Sequence, residues 1–252
     1  MRPYLLIISF SLLCFWHSDS VFAQVNATHH HQLYQSFKSG DMDAWFKVMD
    51  GLQNQYNKSP NNQLLWVILQ AQYGYIGYLI GIKETRQARQ MLSEAEKNVE
   101  VLLSANPKNA DAIALKGSFL AYHISLSPYK APFLGPRSMG LIDEALQLQP
   151  NSIQAQIEKG NAAHYAPSMF GGNPSEAVKH YTKAISLFES NNGGNLPESW
   201  LYLNTLAQLA MAYEKAKQTE NARSTYRRIL FIATDFKWVK DELYPQFLKR
   251  NS

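Results

Sequence analysis

Residues 84–112, ETRQARQMLSEAEKNVEVLLSANPKNADA, hold two helices and the turn between them. Apolar side chains fall at Ala88, Met91, Leu92, Ala95, Val99, Leu102 and Leu103. Their spacing traces a single stripe along an α-helix. Pro107 ends that helix, because proline has no amide donor and restricts Asn106 before it. Asp111 is then the expected cap of the next helix. Gln149-Pro150-Asn151 repeats the punctuation. A helix closed by proline and followed at once by another helix, twice over, points to internal repeats. Strand alternation is absent apart from short stretches such as residues 229–232, which fit a helix equally well.

Toward the C-terminus the repeat is clearest. Leu206, Leu209, Ala210 and Tyr213 lie on one helix, and Ala222 and Tyr226 on the next, joined by the short turn KAKQTENA. Small residues let two antiparallel helices approach closely, and large ones fill the gap to the following pair. This pattern resembles the tetratricopeptide repeat, whose signature is W-x2-L-G-x2-Y, then A-x3-F, then P. Leu stands here for Trp, Ala for Gly and Thr234 for the proline. Degenerate copies run from Gly160 to Ala177, Tyr181 and Ala184, and from Gly117 to Ile142, Ala145 and Pro150. Another comprises a first helix at 63–80 with Ala95, Val99 and Pro107. Ala95, Ser138, Ala177 and Ala222 take equivalent places at spacings of 43, 39 and 45 residues, against about 34 in the family. The resemblance implies an all-α, right-handed superhelix of four to five antiparallel helix pairs with insertions. An opening pair is expected at 24–58 around a Ser39-Gly40-Asp41 turn, with Leu33, Phe37, Trp45, Val48, Met49 and Leu52 facing inward. The repeats occupy 62–236, and 237–252 forms a tail or capping helix.

The first 23 residues read as a secretory signal peptide. Arg2 supplies the positive start, residues 4–16 an apolar run, and Val21-Phe22-Ala23 the small residues before a cut at Gln24. A retained anchor is the alternative. Lipidation of Cys14, the only cysteine, is disfavoured by Leu13 before it. The mature chain then has no cysteine, no disulfide, and no further segment expected to cross a membrane. The chain resembles exported tetratricopeptide proteins of Gram-negative bacteria, which implies a periplasmic location, or a secreted or outer-membrane-associated one. With 46% hydrophobic residues, 17% charged and a net charge of +4, it is neither a disordered chain nor a nucleic-acid binder.

Four places are candidates for function. In HYAPSMFGGNPSEA, residues 164–177, an ordinary short turn is replaced by Pro167, Met169, Phe170, Gly171, Gly172 and Pro174. Adjacent glycines permit positive φ, and Asn173 or Ser175 is placed to cap the next helix. This is either a rigid loop binding through backbone amides, Met169 and Phe170, or a connector in which Phe170 fills a gap. SLSPYKAPFLGPRSMG, residues 125–140, is a second Pro/Gly insertion, with Tyr129 and Phe133, and with Lys130 and Arg137 to favour an anion. Both insertions are expected on one edge of the superhelix, where they can meet, or simply stack for stability. The third place is the concave groove, where register puts Tyr75, Tyr78, Tyr122, Asn161, His164 and Tyr165. These residues either contact a peptide or pack between helices. The fourth is His29-His30-His31, a metal-binding candidate without acidic partners in sequence, more simply a solvated tract.

No nucleophile elbow, HExxH or phosphate-binding loop is present, so no catalytic residue, metal or cofactor is expected. The reading that follows is a non-catalytic scaffold of the cell envelope that binds a protein or peptide through its concave face and two loops. It does not insert stably in a membrane after signal removal, and its oligomeric state is not legible. A small-ligand or glycan receptor with a closed pocket between the loops is the first alternative. An envelope enzyme with clustered ionisable groups is the second.

Overall fold

The computed structural model describes residues 28–191, 193 and 198–251. The signal sequence read at 1–23 lies outside them. Eleven α-helices follow one another among the described residues, with no strand. Helix α1 covers residues 28–39. It is followed by α2 (Met42–Lys58), α3 (Asn62–Gly81), α4 (Thr85–Ala105), α5 (Ala110–Leu126) and α6 (Ala131–Leu148). Then come α7 (Ile153–Tyr165), α8 (Pro174–Asn191), α9 (Trp200–Lys215), α10 (Thr219–Ile232) and α11 (Tyr244–Arg250).

Local chemistry sets the boundaries. Gly40 turns the chain at a φ of 70°, and Asp41 caps α2 by accepting from the Ala44 amide at 2.9 Å. Asn61 does the same for α3 and Ser152 for α7. The cap of α5 is Asn109, whose Oδ1 accepts from the Ala112 amide, and not Asp111 as expected. Asp111 lies inside the first turn and accepts from the Ser152 hydroxyl, tying two neighbouring turns together. Asn173 caps α8, accepting from the amides of Ser175 and Glu176.

The pairs α3–α4, α5–α6, α7–α8 and α9–α10 stack in order. Their close approach depends on small residues. A methyl group added at Gly117 would stand 2.9 Å from the Ser138 carbonyl, and one at Gly160 only 2.6 Å from the Tyr181 ring. Ser138 also donates its hydroxyl to the Gly117 carbonyl at 2.7 Å. Helix α3 is apolar enough and, at 20 residues, long enough to cross a membrane, contrary to the expectation that no such segment follows the signal. It is the central core helix: Leu65, Ile68, Leu69, Ala71 and Ile76 are fully buried among α2, α4 and α5.

The second insertion is not a loop. Residues Pro128–Lys130 form one 3-10 turn, and α6 begins at Ala131. Pro132 sits in the first helical turn, where its missing amide donor has no partner to lose. Pro136, the sixth residue of the helix, cannot donate to the carbonyl four residues before it.

The N-terminal hairpin reaches across to the last pair. Trp45 of α2 meets Trp200 of α9 edge-on, with ring centroids 5.0 Å apart, and both press on Gly74 of α3 at 3.0 Å from where a Cβ would stand. Phe37 of α1 lies 5.9 Å from Trp200 and 5.1 Å from Phe236, while Lys38 pairs with Asp235 at 3.2 Å. At the far end, Phe247 of α11 covers Tyr226 of α10.

Candidate functional site

The first helices of the pairs converge on Tyr73. Its ring stacks on Tyr122 at 5.6 Å, and the Tyr122 hydroxyl donates to the Tyr73 carbonyl at 3.1 Å. The Tyr73 hydroxyl accepts from the Asn161 amide at 3.0 Å, linking α3 to α7, and donates to Glu158. Glu158 is 1% exposed. It also accepts from Ser118 at 2.7 Å, from Gln154 at 2.7 Å and from Asn161 at 2.9 Å. Burial pushes its carboxyl above the usual range, and these donors hold the rise back. Tyr181 closes the chain by donating to Asn161 at 2.7 Å. The expected concave groove is therefore sealed at this point. Tyr122 and Asn161 are part of the seal, their polar groups used within the protein. Glu158 and Tyr73, which sequence reasoning missed, are its centre.

Tyr75 does not share that face. Two residues along a helix turn the side chain by about 200°, so Tyr75 points opposite to Tyr73. It lies 5.6 Å from Phe46 of α2 and 5.8 Å from Tyr78. There it lines a cleft of about 350 Å³ over α3, walled by α2 and α4. The walls carry Phe46, Asp50 and Gln53 on one side and Gln87, Gln90 and Glu94 on the other. Gln72 at the floor accepts from Asn98 at 2.9 Å. The Gln87 and Gln90 side chains make no hydrogen bond to the rest of the protein among the described residues.

The turns within the helix pairs share one edge of the molecule. Arg89 at the start of α4 reaches the Leu126 carbonyl and the Ser127 hydroxyl at the end of α5, and Lys215 at the end of α9 reaches the His164 carbonyl at the end of α7. Tyr129 is 75% exposed, Phe133 76% and Met169 82%. Tyr165, Phe170 and Tyr78 are exposed as well, and Tyr165 keeps its hydroxyl on Gln208 at 2.7 Å. Arg137 is exposed and Lys130 half-buried. The expected meeting of the two insertions is not seen: no hydrogen bond or ring contact joins 125–140 to 164–177 among the described residues.

The α7–α8 turn is rigid for two different reasons. Gly171 takes a φ of 90°. Gly172 does not adopt positive φ, contrary to expectation. It is required sterically, because an added Cβ would fall 1.9 Å from the Ala166 carbonyl oxygen. Phe170 is half exposed, so it plugs no gap.

His164, beneath this turn, is 7% exposed, and its Nδ1 has no partner. Burial, and secondarily Lys215, hold its pKa down at about 4. It borders a hollow of about 610 Å³ with Glu214, Lys215, Lys217 and Arg250. Most of that charge is already used: Glu214 binds Arg250 at 2.7 Å and Tyr226 at 2.6 Å. The histidine tract gains one acidic partner in space, with His31 2.8 Å from Glu198. Among the described residues, no group of three or more His, Cys, Asp or Glu side chains comes together to hold a metal.

No family model and no curated protein matches the chain. Among solved structures it is similar to TTC0263, a thermophilic TPR protein of Thermus thermophilus, with a TM-score of 0.56 and 11% identity over 88% of this chain and 97% of that one. The fold is that of the tetratricopeptide repeat. Two further likenesses are looser: MamA, TM-score 0.38 at 14% identity over 77% of this chain and 91% of that one, and BtubC from P. vanneervenii, TM-score 0.42 at 14% identity over 77% and 72%. In tetratricopeptide terms, α3, α5, α7 and α9 are first helices and α4, α6, α8 and α10 second helices. The two Pro/Gly segments, 125–140 and 164–177, fall within pairs, whereas the eight residues between Asn191 and Trp200 join one pair to the next.

Proposed function

We propose that this chain is a non-catalytic scaffold that acts after export, in the periplasm of a bacterial cell envelope, by holding a peptide segment of a partner protein. The observation that carries the reading is the cleft over α3. Gln87 and Gln90 offer unpartnered amides, each both donor and acceptor, to an extended backbone. Phe46 on the wall and Tyr75 on the floor give it an apolar surface, and Asp50 and Glu94 favour a segment bearing Lys or Arg. The concave face, first choice on sequence, is occupied by the protein's own Tyr73 and Trp200. The signal-like start of the sequence supports the export part. The non-catalytic part of the reading is supported by Glu158, a fully buried carboxyl that lines neither hollow and whose oxygens are already hydrogen-bonded.

A second reading, a glycan held by the same aromatic and amide groups, is favoured by the Phe46–Tyr75 pair. Residues 24–252 displayed against peptide and glycan arrays separate the two. The expected result is enrichment of basic peptides, reduced at least about tenfold by Gln87→Ala with Gln90→Ala, the loss of roughly 1.4 kcal/mol of binding. Retention by glycans alone replaces the first reading with the second. Peptide binding unchanged in the variant removes the cleft from the function.

A further inference from the structure

Twelve large apolar side chains are exposed among the described residues, and seven of them belong to one edge. Tyr78 and Ile82 stand at the α3–α4 turn, Tyr129 and Phe133 at the α5–α6 turn, and Tyr165, Met169 and Phe170 at the α7–α8 turn. Scattered exposed apolar residues need no explanation, but a concentration of them on one edge does.

Charge on this edge has one dominant sign. Residues 125–140 carry Lys130 and Arg137 and no acid. The α3–α4 turn and the start of α4 offer Lys83, Arg86 and Arg89 against Glu84. The α9–α10 turn offers Lys217, with Lys215 held by the His164 carbonyl, Glu214 bound to Arg250 and Glu220 paired with Arg223. From Tyr165 to Ser175 there is no charge at all, and the most exposed large side chains of the α7–α8 turn, Tyr165, Met169 and Phe170, are apolar or aromatic.

We propose that this edge docks on the surface of an anionic lipid bilayer. Aromatic and apolar tips that project in twos and threes from successive turns suit a soft surface that closes around each group. A protein partner would need a matching hollow for each tip. Tyr, Phe and Met partition into the interfacial zone while the basic side chains, set back along the helices, meet the headgroup phosphates. The turns are built to stay extended: Gly171 and Gly172 fix the α7–α8 tip, and Pro128 and Pro132 stiffen the α5–α6 tip. No helix inserts. The cleft over α3, with Asp50 and Glu94, belongs to a different surface and stays available to a partner.

The test uses residues 24–252, which include every residue of the described fold and omit the apolar N-terminal run that would bind lipid by itself. Co-sedimentation is measured with vesicles of phosphatidylcholine alone and with vesicles rich in phosphatidylglycerol. The expected result is binding to the anionic vesicles that exceeds the neutral ones by at least roughly tenfold and fades in high salt. Phe133→Ser with Met169→Ser, and separately Lys130→Glu with Arg137→Glu, should each weaken it by about tenfold while circular dichroism stays that of the parent. Three results overturn the proposal: no binding to anionic vesicles, equal binding to both compositions, or unchanged binding in both variants. If lipid fails but the same variants lose an acidic protein partner, the edge is a protein interface instead.

Discussion

The inner face and the turn edge are made from the same materials and behave oppositely. Tyr73, Tyr122 and Tyr181 lie inside, their hydroxyls engaged with Asn161 and the backbone around a buried carboxyl. Tyr129, Phe133, Met169 and Phe170 lie outside and contact little. The difference is not side-chain type. A buried hydroxyl has to find a partner to offset its lost water, and the helices of three repeats converge to provide one. At the turn tips no second layer of helices exists, so nothing covers the aromatic rings. The comparison locates the stability of the molecule in its inner face and leaves the edge free for an encounter.

That division makes graded predictions. The largest effect belongs to Glu158→Ala, which strands the donors of Ser118, Gln154, Asn161 and Tyr73 together. It should lower the unfolding free energy by at least about 3 kcal/mol, read as the urea midpoint at constant slope. A loss under about 1 kcal/mol would mean that the network is dispensable and that the inner face owes its closure to the tryptophans alone.

A smaller, pH-dependent effect concerns His164. Its folded pKa of about 4 lies below the ordinary value of 6.5, so the unfolded chain takes the proton first. The stability linked to neutral His164 is complete above pH 6.5 and is lost as pH falls toward 4. Glu158 acts with the opposite sign. Its raised pKa makes the folded state the better proton acceptor, so its contribution improves as pH falls into the window above 4.5. The difference between the parent and His164→Leu isolates the first term. It should shift steadily in favour of the variant between pH 6.5 and 4, and a pH-independent difference would contradict the assigned burial.

The smallest effect is expected at the edge. Phe133→Ser and Met169→Ser should each change stability by less than about 0.5 kcal/mol, seen as a nearly unchanged melting temperature. A larger loss would mean that these side chains pack against something in the folded chain, and the contrast between the two regions would fail.

Much of this architecture was legible because it is local. The apolar stripe of residues 88–103, the stop at Pro107 and the small residues Gly117, Gly160, Ala177 and Ala222 announce paired helices within windows of about one repeat. The turn at Gly40 and the cap at Asn173 follow from the conformational preferences of single residues. The start of α6 is hidden in the sequence because its prolines and glycines suggest a loop, whereas Pro132 in a first turn is compatible with a helix. The phase of α3 is hidden because a register carried over from a degenerate signature is uncertain by a residue or two. On a helix that uncertainty exchanges Tyr73 for Tyr75 and reverses the face.

The sequence by itself determined that this chain would be all-helical, paired, without an internal disulfide because it has a single cysteine, and built on close helix contacts, since each of those follows from short-range spacing and residue chemistry. Only the tertiary structure decided that Trp200 would meet Trp45 over Gly74, that Tyr73, Asn161 and Glu158 would close the inner face, and that Tyr75 would line a cleft on the opposite side of α3. Those outcomes depend on how far the superhelix curls. Curl is the sum of many small packing angles between helices distant in sequence, and no local pattern encodes that sum.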